Sequence, residues 1–301
     1  MQKSLIDTLK EKVLVCDGAM GTQLMVAGLK QGECGELWNI THPERVLEIQ
    51  RRYVDAGSNC IITNTFGGNG RILSRHGHMD KLAEINREAA RIARESFGDS
   101  EGFVLGDVGP VGEPLEPYGD LSQEDASQAI SIQVEALMEG GVDAIIVETQ
   151  SALEETAIGV TAAKEAGAPC IIASLSFNIL HDKSGFRTMM GVSPEQAAQR
   201  LSEMGVDVLA LNCGSGVDMT AAHSIICNYR NTSNCFTMAQ PNAGLPVLEN
   251  QIAVYKQTPE DMTSTLNPLL EAGVNIVGGC CGTTPDHIRS IREKVDAWNA
   301  R

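Results

Sequence analysis

The sequence predicts an α/β protein, a single (β/α)8 TIM barrel that forms one domain over residues 1–301. Eight short apolar runs rich in β-branched residues recur along the chain, and each is followed by turn residues and a helical pattern. Their continuous apolarity is typical of parallel strands that are buried on both faces. A doubly wound open sheet is the alternative. Eight regular units favour a closed barrel, and no G-x-G-x-x-G motif follows the first strand.

The predicted elements alternate along the whole chain. The strands, in order, lie in KVLVCDG, NCIITNTFGG, GFVLGDVGP, VDAIIVETQ, PCIIASLSF, VDVLALNCGS, NCFTMAQPNAG and VNIVGGCCG. Helices are predicted to start after Ser122 and Ser193, because serine is a favoured N-cap residue. Glycines that end helices and lead into the next strand are predicted at Gly57, Gly141, Gly167, Gly205 and Gly273.

Charge and cysteine content restrict the class of function. The net charge of -16 argues against binding to nucleic acid or to anionic membranes, because both require basic patches. The chain shows no leader-like apolar segment and no run near the roughly eighteen apolar residues of a membrane span, so we expect a cytoplasmic protein. Its 9 cysteines are odd in number and widely spread, unlike a disulfide framework.

The residues that directly follow each strand are the candidates for chemistry, since the active site of such a barrel lies at the carboxyl ends of its strands. They are unusually polar and rich in thiols. In chain order they are Asp17, Asn64, Thr65, Asp107, Glu148, Ser176, Asn212, Cys213, Gln240, Asn242, Cys280 and Cys281.

Three of these thiols predict a zinc site. Cys213 ends the sixth strand and the pair Cys280 and Cys281 ends the eighth, so the three sulfur atoms can converge at the mouth. Three thiolates with one open position suit a catalytic zinc ion whose substrate is itself a thiol. The alternative is that cysteines fill the core as small apolar residues. We apply it to Cys16, Cys60, Cys170 and Cys235, and we assign no role to Cys34 and Cys227.

Two strand-end carboxylates, Asp17 and Glu148, can bind a substrate ammonium group at the same mouth. The alternative is that both only cap the turn or helix that follows, and this alternative fits Asp107 better. The glycines after Asp17, beginning with Gly18, can offer backbone N–H groups to a carboxylate. Asn242 lies in the turn-rich PNAGLP loop over the mouth.

The assembled motifs resemble the homocysteine S-methyltransferase family, which includes the homocysteine-binding barrel of cobalamin-dependent methionine synthase and the betaine-homocysteine methyltransferases. The resemblance covers nearly the whole chain, and its motifs occur in the order of the family. They are DGAMGTQL from Asp17, TNTFGGN from Thr63, GDVGPVG from Gly106, VET from Val147, LNCGSG from Leu211, PNAGLP from Pro241 and GGCCGTTPDHI from Gly278.

The resemblance implies a zinc-dependent S-methyltransferase of methionine biosynthesis that holds one Zn2+ per chain. Cys213, Cys280 and Cys281 would bind the metal, and the sulfur of L-homocysteine would take the fourth position and attack an activated methyl group. Cys213, Cys280, Cys281 and Glu148 are therefore the predicted catalytic residues. The predicted substrate-binding residues are Asp17, Gly18, Thr65, Phe66, Glu148, Asn212 and Asn242.

The methyl donor stays open between two classes. The chain contains no second barrel for methyltetrahydrofolate and no D-x-H-x-x-G corrinoid motif, so we do not expect a complete methionine synthase. Low aromatic content, 4%, counts against a betaine donor, which needs an aromatic cage. A sulfonium compound (S-methylmethionine or S-adenosylmethionine) and a methyl-corrinoid carried on a separate protein remain. The long segment from Asn178 to Gly191 is expected to lie on the donor side.

Two other functions are compatible with the same residues. The barrel could demethylate a small methylated substrate onto a separate corrinoid protein, or it could bind zinc and homocysteine without turnover. A phosphate-binding barrel is disfavoured, because two thiols stand where backbone N–H groups would meet the anion.

Overall fold

The computed structural model describes residues 3–249 and 252–301. Its main sheet contains eight strands, all of which pair in parallel. We number these barrel strands first to eighth. They span Leu14–Val15, Cys60–Ile62, Phe103–Val108, Ala144–Gln150, Ile171–Leu175, Val208–Asn212, Phe236–Gln240 and Ile276–Val277. Each lies inside one of the eight predicted segments.

The strands form a closed ring. Each strand from the second to the eighth pairs with the strand before or after it in the chain, and the first strand pairs with the eighth. A parallel bridge between Cys16 and Cys60 joins the first strand to the second and closes the circle. The predicted TIM barrel is therefore confirmed. Its strands are drawn from residues 14–277, and a single domain over residues 1–301 stays a prediction.

Helices surround the ring. The α-helices span Leu5–Leu9, Met20–Val26, Trp38–Thr41, Pro43–Asp55, Gly70–Arg75, Leu82–Ser96, Gln123–Glu139, Leu153–Glu165, Pro194–Glu203, Met219–Thr232, Pro259–Thr263, Leu266–Glu271 and Pro285–Asn299, and a short 3-10 helix spans Met79–Lys81. Ser122 and Ser193 cap the helices that follow them, as predicted. All five predicted C-terminal glycines have positive φ, between 69° at Gly205 and 106° at Gly57.

The strands separate two apolar cores because successive side chains point to opposite faces. Inside the barrel, residues such as Leu14, Leu105 and Ile146 pack together. On the outer face, Val15 and Ile145 pack against the helices. On the third, fourth, sixth and seventh strands, the last inward-facing side chain is polar. These side chains form a polar layer at the carboxyl end of the barrel, made of Asp107, Glu148, Asn212 and Gln240.

Two antiparallel hairpins extend from the same end of the barrel. The first pairs Phe177–Ile179 with Phe186–Thr188, after the fifth strand. The second pairs Pro246–Glu249 with Ile252–Tyr255, after the seventh strand. The segment from Asn178 to Gly191, which we expected on the donor side, thus contains most of the first hairpin. Among the described residues, no helix is long and apolar enough to cross a membrane.

Candidate metal and substrate site

A cavity of about 410 Å³ lies at the carboxyl ends of the barrel strands. In the described part of the chain, its wall contains three thiols and five carboxyl groups and no lysine, arginine or histidine. These thiol and carboxyl groups belong to Cys213, Cys280, Cys281, Asp17, Glu33, Glu36, Asp107, Glu148. The carboxyl groups therefore suit a ligand with a positively charged group, and the thiols suit a metal ion that binds sulfur.

The three predicted thiols meet at one side of this cavity. The sulfur atoms of Cys213, Cys280 and Cys281 all lie within 4.8 Å of one another, and those of Cys280 and Cys281 are 4.0 Å apart. Thiolates that bind one zinc ion tetrahedrally at about 2.3 Å are separated by roughly 3.8 Å. The donor set and its spacing therefore fit a tetrahedral ion with one position left for a ligand from the cavity.

Local backbone geometry presents these thiols. Cys213 leaves the sixth strand with a φ of 56°, a left-handed conformation that is costly for a residue with a side chain. Cys280 begins a turn in which its carbonyl accepts hydrogen bonds from both the N–H and the hydroxyl of Thr283. Gly279 precedes this turn, and a Cβ there would lie 2.5 Å from the methyl carbon of Thr283. A side chain at position 279 would displace the turn that carries both thiols.

Tyr53 and Thr283 connect the thiol turn to the loop after the first strand. The hydroxyl of Thr283 accepts a hydrogen bond from the N–H of Ala19 at 3.1 Å. The buried hydroxyl of Tyr53 donates to the carbonyls of Ala19 at 2.9 Å and Thr283 at 3.3 Å. The loops that carry Asp17 and the cysteine pair are thus held by one set of hydrogen bonds.

The three thiols share their protons unequally. Hydrogen bonds from Cys280 and Cys281 hold the pKa of Cys213 far below its usual range. The same contacts raise the pKa of Cys280, and the contact with Cys213 raises that of Cys281 to about 11. The contacts among the three thiols therefore favour the deprotonated form of Cys213, which is the form that binds a metal cation.

Three carboxyl groups, two buried and one partly buried, form another part of the wall. Burial raises the pKa of Asp17 and that of Glu148 to about 7 in each case. Burial and the neighbouring Glu148 raise the pKa of Asp107 further, and the side chains of Asp107 and Glu148 hydrogen bond to each other. One oxygen of Asp107 is buried without a hydrogen-bond partner. Such a cluster is unfavourable when fully ionised and gains from a bound cation.

Sequence reasoning underrated Asp107 by treating it mainly as a turn cap. The structure places it in the cavity wall with only 3% of its surface exposed. The signal was present in the chain, because Phe103, Leu105 and Asp107 alternate and therefore share the inward face of the third strand. Gln240, at the end of the seventh strand, lines the cavity for the same reason, and its buried side-chain oxygen also has no partner.

The other predicted site residues divide into two groups. Gly18, Thr65 and Phe66 line the cavity. Asn212 and Asn242 are buried but are not among the lining residues. Asn212 donates hydrogen bonds to Thr149 at 2.7 Å and Glu148 at 3.3 Å. Asn242 donates to the carbonyl of Gly214 at 3.3 Å and hydrogen bonds to Cys213. Both therefore contact groups that line the cavity.

Barrel, thiol cluster and carboxyl cluster together define a class, that of barrel proteins with three cysteines able to bind a metal beside a pocket lined by carboxyl groups. Comparison with known proteins gives the particular family. The family model described as homocysteine S-methyltransferase matches residues 14–295. The chain belongs to the homocysteine S-methyltransferase family, which confirms the resemblance seen in its motifs.

Relatives in sequence and structure agree with this assignment. The chain is 32% identical to methionine synthase of Mycobacterium leprae over 307 residues, which cover 98% of this chain and 25% of the relative. It is also 32% identical to methionine synthase of Mycobacterium tuberculosis over 303 residues, 97% of this chain and 25% of the relative. The chain thus spans about a quarter of the length of these relatives.

The fold is also similar to that of solved structures. The crystal structure of the homocysteine methyltransferase MmuM from Escherichia coli, in its metallated form, superposes with a TM-score of 0.76 at 21% identity, over 95% of this chain and 97% of that chain. The oxidised form of the same enzyme gives a TM-score of 0.76 at 22% identity, over 97% of this chain and 98% of that chain. At these identities the similarity supports the barrel fold.

Proposed function

We propose that this protein transfers a methyl group to the sulfur of L-homocysteine to form methionine, with a zinc ion held by Cys213, Cys280 and Cys281. The observation that carries the proposal is the joint lining of one cavity by three convergent thiols and three carboxyl groups. An amino acid with a side-chain thiol is the ligand class that matches both groups at once. Because the same chemistry needs reduced cysteines, we also propose a cytoplasmic location.

The carboxyl groups would hold the amino-acid part of the substrate. An ammonium group entering the cavity supplies the positive charge that the carboxyl groups of Asp17, Asp107 and Glu148 lack. Asp107 and Glu148 then no longer need to share a proton, and both can bind the ammonium as carboxylates. Backbone N–H groups of the loop after Gly18, which lines the cavity beside Asp17, are the candidate partners for the substrate carboxylate.

In this proposal the chain positions the reacting atoms and does not need a general base. When bound by the three cysteines, zinc would lower the pKa of the substrate thiol so that its proton leaves on binding. The substrate sulfur would attack the methyl carbon in line, forming a new S–C bond while the bond to the donor breaks and its electron pair stays with the donor. Asp17, Asp107 and Glu148 orient the attacking sulfur by holding the opposite end of the molecule.

For the donor, we propose a methyl-corrinoid carried on a separate protein. Among the described residues, the exposed large apolar side chains all lie in connections that follow the carboxyl ends of the strands. Seven of them are Phe66, which lines the cavity, and six residues in or directly beside the two hairpins. We call this set the apolar rim: Phe66, Ile179, Met189, Met190, Leu245, Val247 and Leu248.

The apolar rim continues the proposed site outward. The first hairpin contacts the loop of Cys213, since the N–H of Ile179 donates to the carbonyl of Ser215 at 3.2 Å. The loop before the second hairpin contacts the cysteine pair, since the N–H of Ala243 donates to the carbonyl of Cys281 at 3.0 Å. Exposed apolar side chains near a proposed site favour a partner protein over a small polar donor. We therefore favour a donor that is carried on a protein.

A small sulfonium donor is the second candidate, and the cavity lining favours it. Glu33 and Glu36 line the cavity beyond these three carboxyl groups, and no basic side chain lies among the described lining residues. A positively charged sulfonium is attracted to such a wall, whereas an anionic donor such as methyltetrahydrofolate is repelled.

The test begins with metal and acceptor binding. Zinc content is measured, and L-homocysteine is titrated into the protein while proton release and zinc-edge absorption are followed. We expect one zinc per chain and one added sulfur in its shell. A protein without zinc, or a zinc shell that gains no sulfur, would refute the proposal.

A donor panel then separates the remaining candidates. Methionine formation is assayed with a methylcorrinoid protein, methylcobalamin, S-methylmethionine and S-adenosylmethionine. Turnover restricted to the corrinoids supports the carrier-protein donor, and turnover with the sulfonium compounds alone overturns it. Homocysteine binding without methionine from any donor would favour the non-catalytic barrel. Methyl loss from a methylated substrate onto cobalamin would favour the reverse transfer.

A further inference from the structure

Thr149, directly after Glu148, has an unusual backbone. Its φ is 57°, the left-handed region that β-branched residues rarely adopt. In the described part of the chain, only Lys183 and Cys213 share a positive φ among non-glycine residues. A conformation of this kind is strained and persists only where surrounding contacts enforce it. The contacts of Thr149 therefore indicate what the strain achieves.

The strain accompanies a bulge at the end of the fourth strand. Val147 pairs with Ala173 and Gln150 pairs with Leu175, so the fourth strand contains one extra residue over this interval. In a regular strand, neighbouring side chains point to opposite faces. Here both Glu148 and Thr149 line the cavity. The bulge thus adds the threonine side chain to the same wall as the carboxylate.

Asn212 holds this bulge with its whole side chain. Its oxygen accepts hydrogen bonds from the N–H of Thr149 at 3.1 Å and from the hydroxyl of Ser174 at 2.7 Å. Its nitrogen donates to the hydroxyl of Thr149 at 2.7 Å and to the carboxylate of Glu148 at 3.3 Å, and lies 3.9 Å from the sulfur of Cys280. One buried amide therefore contacts both the carboxyl cluster and the thiol cluster.

We infer that Thr149 is a positioning residue that, through Asn212, fixes the separation between Glu148 and Cys280 and so selects the length of the amino-acid thiol. The inference rests on the proposed function. A substrate that binds Glu148 through its ammonium and the metal centre through its sulfur must span that separation. Homocysteine has two methylene groups for this purpose and cysteine has one. A fixed separation rejects the shorter thiol, and a loosened one accepts both.

The threonine hydroxyl is the group to remove. Thr149→Val keeps the shape and β-branching but cannot accept the hydrogen bond from Asn212, whereas Thr149→Ser keeps the hydroxyl. The zinc-loaded proteins are titrated with L-homocysteine and with L-cysteine, and the ratio of the two dissociation constants is compared. One methylene in a fitted site is worth roughly tenfold or more, so we expect Thr149→Val to lose about tenfold in the ratio and Thr149→Ser to keep it.

A strain control comes from elsewhere in the chain. Lys183 lies in an exposed hairpin turn with a φ of 58°. Lys183→Gly and Thr149→Gly should each raise the thermal midpoint relative to the matching alanine variant, because glycine adopts this conformation without cost. Only Thr149→Gly should also lower the homocysteine-to-cysteine ratio.

The outcomes separate the inference from the proposed function. If the wild-type protein prefers homocysteine and Thr149→Val keeps that preference, the inference is wrong while the proposed function stands. Equal weakening of both thiols in Thr149→Val also overturns it, since a merely structural role predicts that result. If the wild-type protein binds neither thiol, the proposed function fails, and the inference fails with it.

Discussion

Two groups of cysteines in the same barrel differ in their surroundings, because one group is buried inside the barrel and the other faces the cavity. Cys16 directly follows the first strand, Cys60 begins the second and Cys170 directly precedes the fifth, and at most 1% of each is exposed. Cys213, Cys280 and Cys281 lie one to four residues past strand ends and are partly exposed at the cavity. The residue type is identical, so the surroundings of the side chain decide whether a thiol packs in the interior or faces the cavity. Cys16 shows that chain position alone does not decide this, because it follows a strand end and still packs inside the barrel.

The pKa values of the thiols differ between the same two groups. Burial raises the pKa of each interior thiol, and the nearby carboxylates Asp17 and Asp207 raise it further. These thiols stay protonated and unreactive. Cys16 still has a polar task, because its S–H donates to a carboxylate oxygen of Asp17 at 3.3 Å. At the mouth, mutual hydrogen bonds instead stabilise a thiolate on Cys213.

The largest expected effect comes from removing one cysteine of each group. Cys281→Ala should weaken zinc binding by at least about a thousandfold and abolish methionine formation, because a metal ligand is lost. Cys60→Ala should keep zinc and lower the free energy of unfolding by about 1 kcal/mol, as for a small core deletion. Zinc content, turnover and denaturant unfolding are measured on both variants. Zinc and turnover that survive in Cys281→Ala would refute the ligand assignment.

Thiol labelling compares the two groups in one sample. After any bound zinc is removed with a chelator, iodoacetamide should modify Cys213 at least about a hundredfold faster than Cys16, Cys60 and Cys170, since among these four thiols only Cys213 combines a lowered pKa with access to the cavity. Peptide mass spectrometry assigns the modified positions. Zinc-loaded protein serves as the reference, in which the mouth thiols should be protected. Equal labelling of both groups would show that the interior is not closed.

Substitutions in the carboxyl cluster test whether the cavity binds the ammonium group of the substrate. Glu148→Gln should raise the dissociation constant of homocysteine by about 10- to 100-fold, because a charged partner of the ammonium is lost, while zinc content stays unchanged. Asp107→Asn should act in the same direction. Glu155→Gln is the matched control, since this carboxyl group bonds to the N–H of Val111 and does not line the cavity. A Glu148→Gln protein with unchanged homocysteine affinity would contradict the assigned role.

The smallest effect is a dependence of stability on pH. The pKa of Asp17 is about 7 in the folded protein, above its ordinary value of 3.8, because of burial. The folded state therefore binds the proton more tightly, and the wild-type protein loses stability as pH rises from about 4 to 7.

Asp17→Asn removes this loss. It should be more stable than the wild type at pH 8, on the order of 2 kcal/mol, and the difference should vanish near pH 4. Denaturant unfolding at both pH values measures it. A difference that is equal at both values would show that packing and not ionisation is responsible.

Sequence reasoning predicted the convergence of the three thiols because its signal is local. A barrel strand followed by a thiol is readable from the chain, and the barrel rule places Cys213 beside Cys280 and Cys281 without coordinates. The eight strands were predicted for a similar reason, since burial on both faces leaves continuous apolar runs.

The rest of the site depends on contacts that the chain does not spell out. Asp107 was readable from alternation but was outweighed by its turn-like neighbours in GDVGP. The left-handed backbone of Thr149 has no sequence signal, because it arises from the hydrogen bonds of Asn212, 63 residues away. The sequence pattern predicts a loop where Phe177 to Thr188 form a hairpin, since the apolar pattern there is short and interrupted by polar residues.

The hydrogen bonds among Tyr53, Ala19 and Thr283 have a consequence for assembly. They tie the loop after the first strand to the turn after the eighth, where two of the three thiols lie. A ribosome delivers these two segments far apart in time, and the three thiols come together only once the segments have met. If the cluster holds zinc as proposed, zinc uptake reports that the ring has closed, and a chain released before the eighth strand would lack the proposed ligands Cys280 and Cys281.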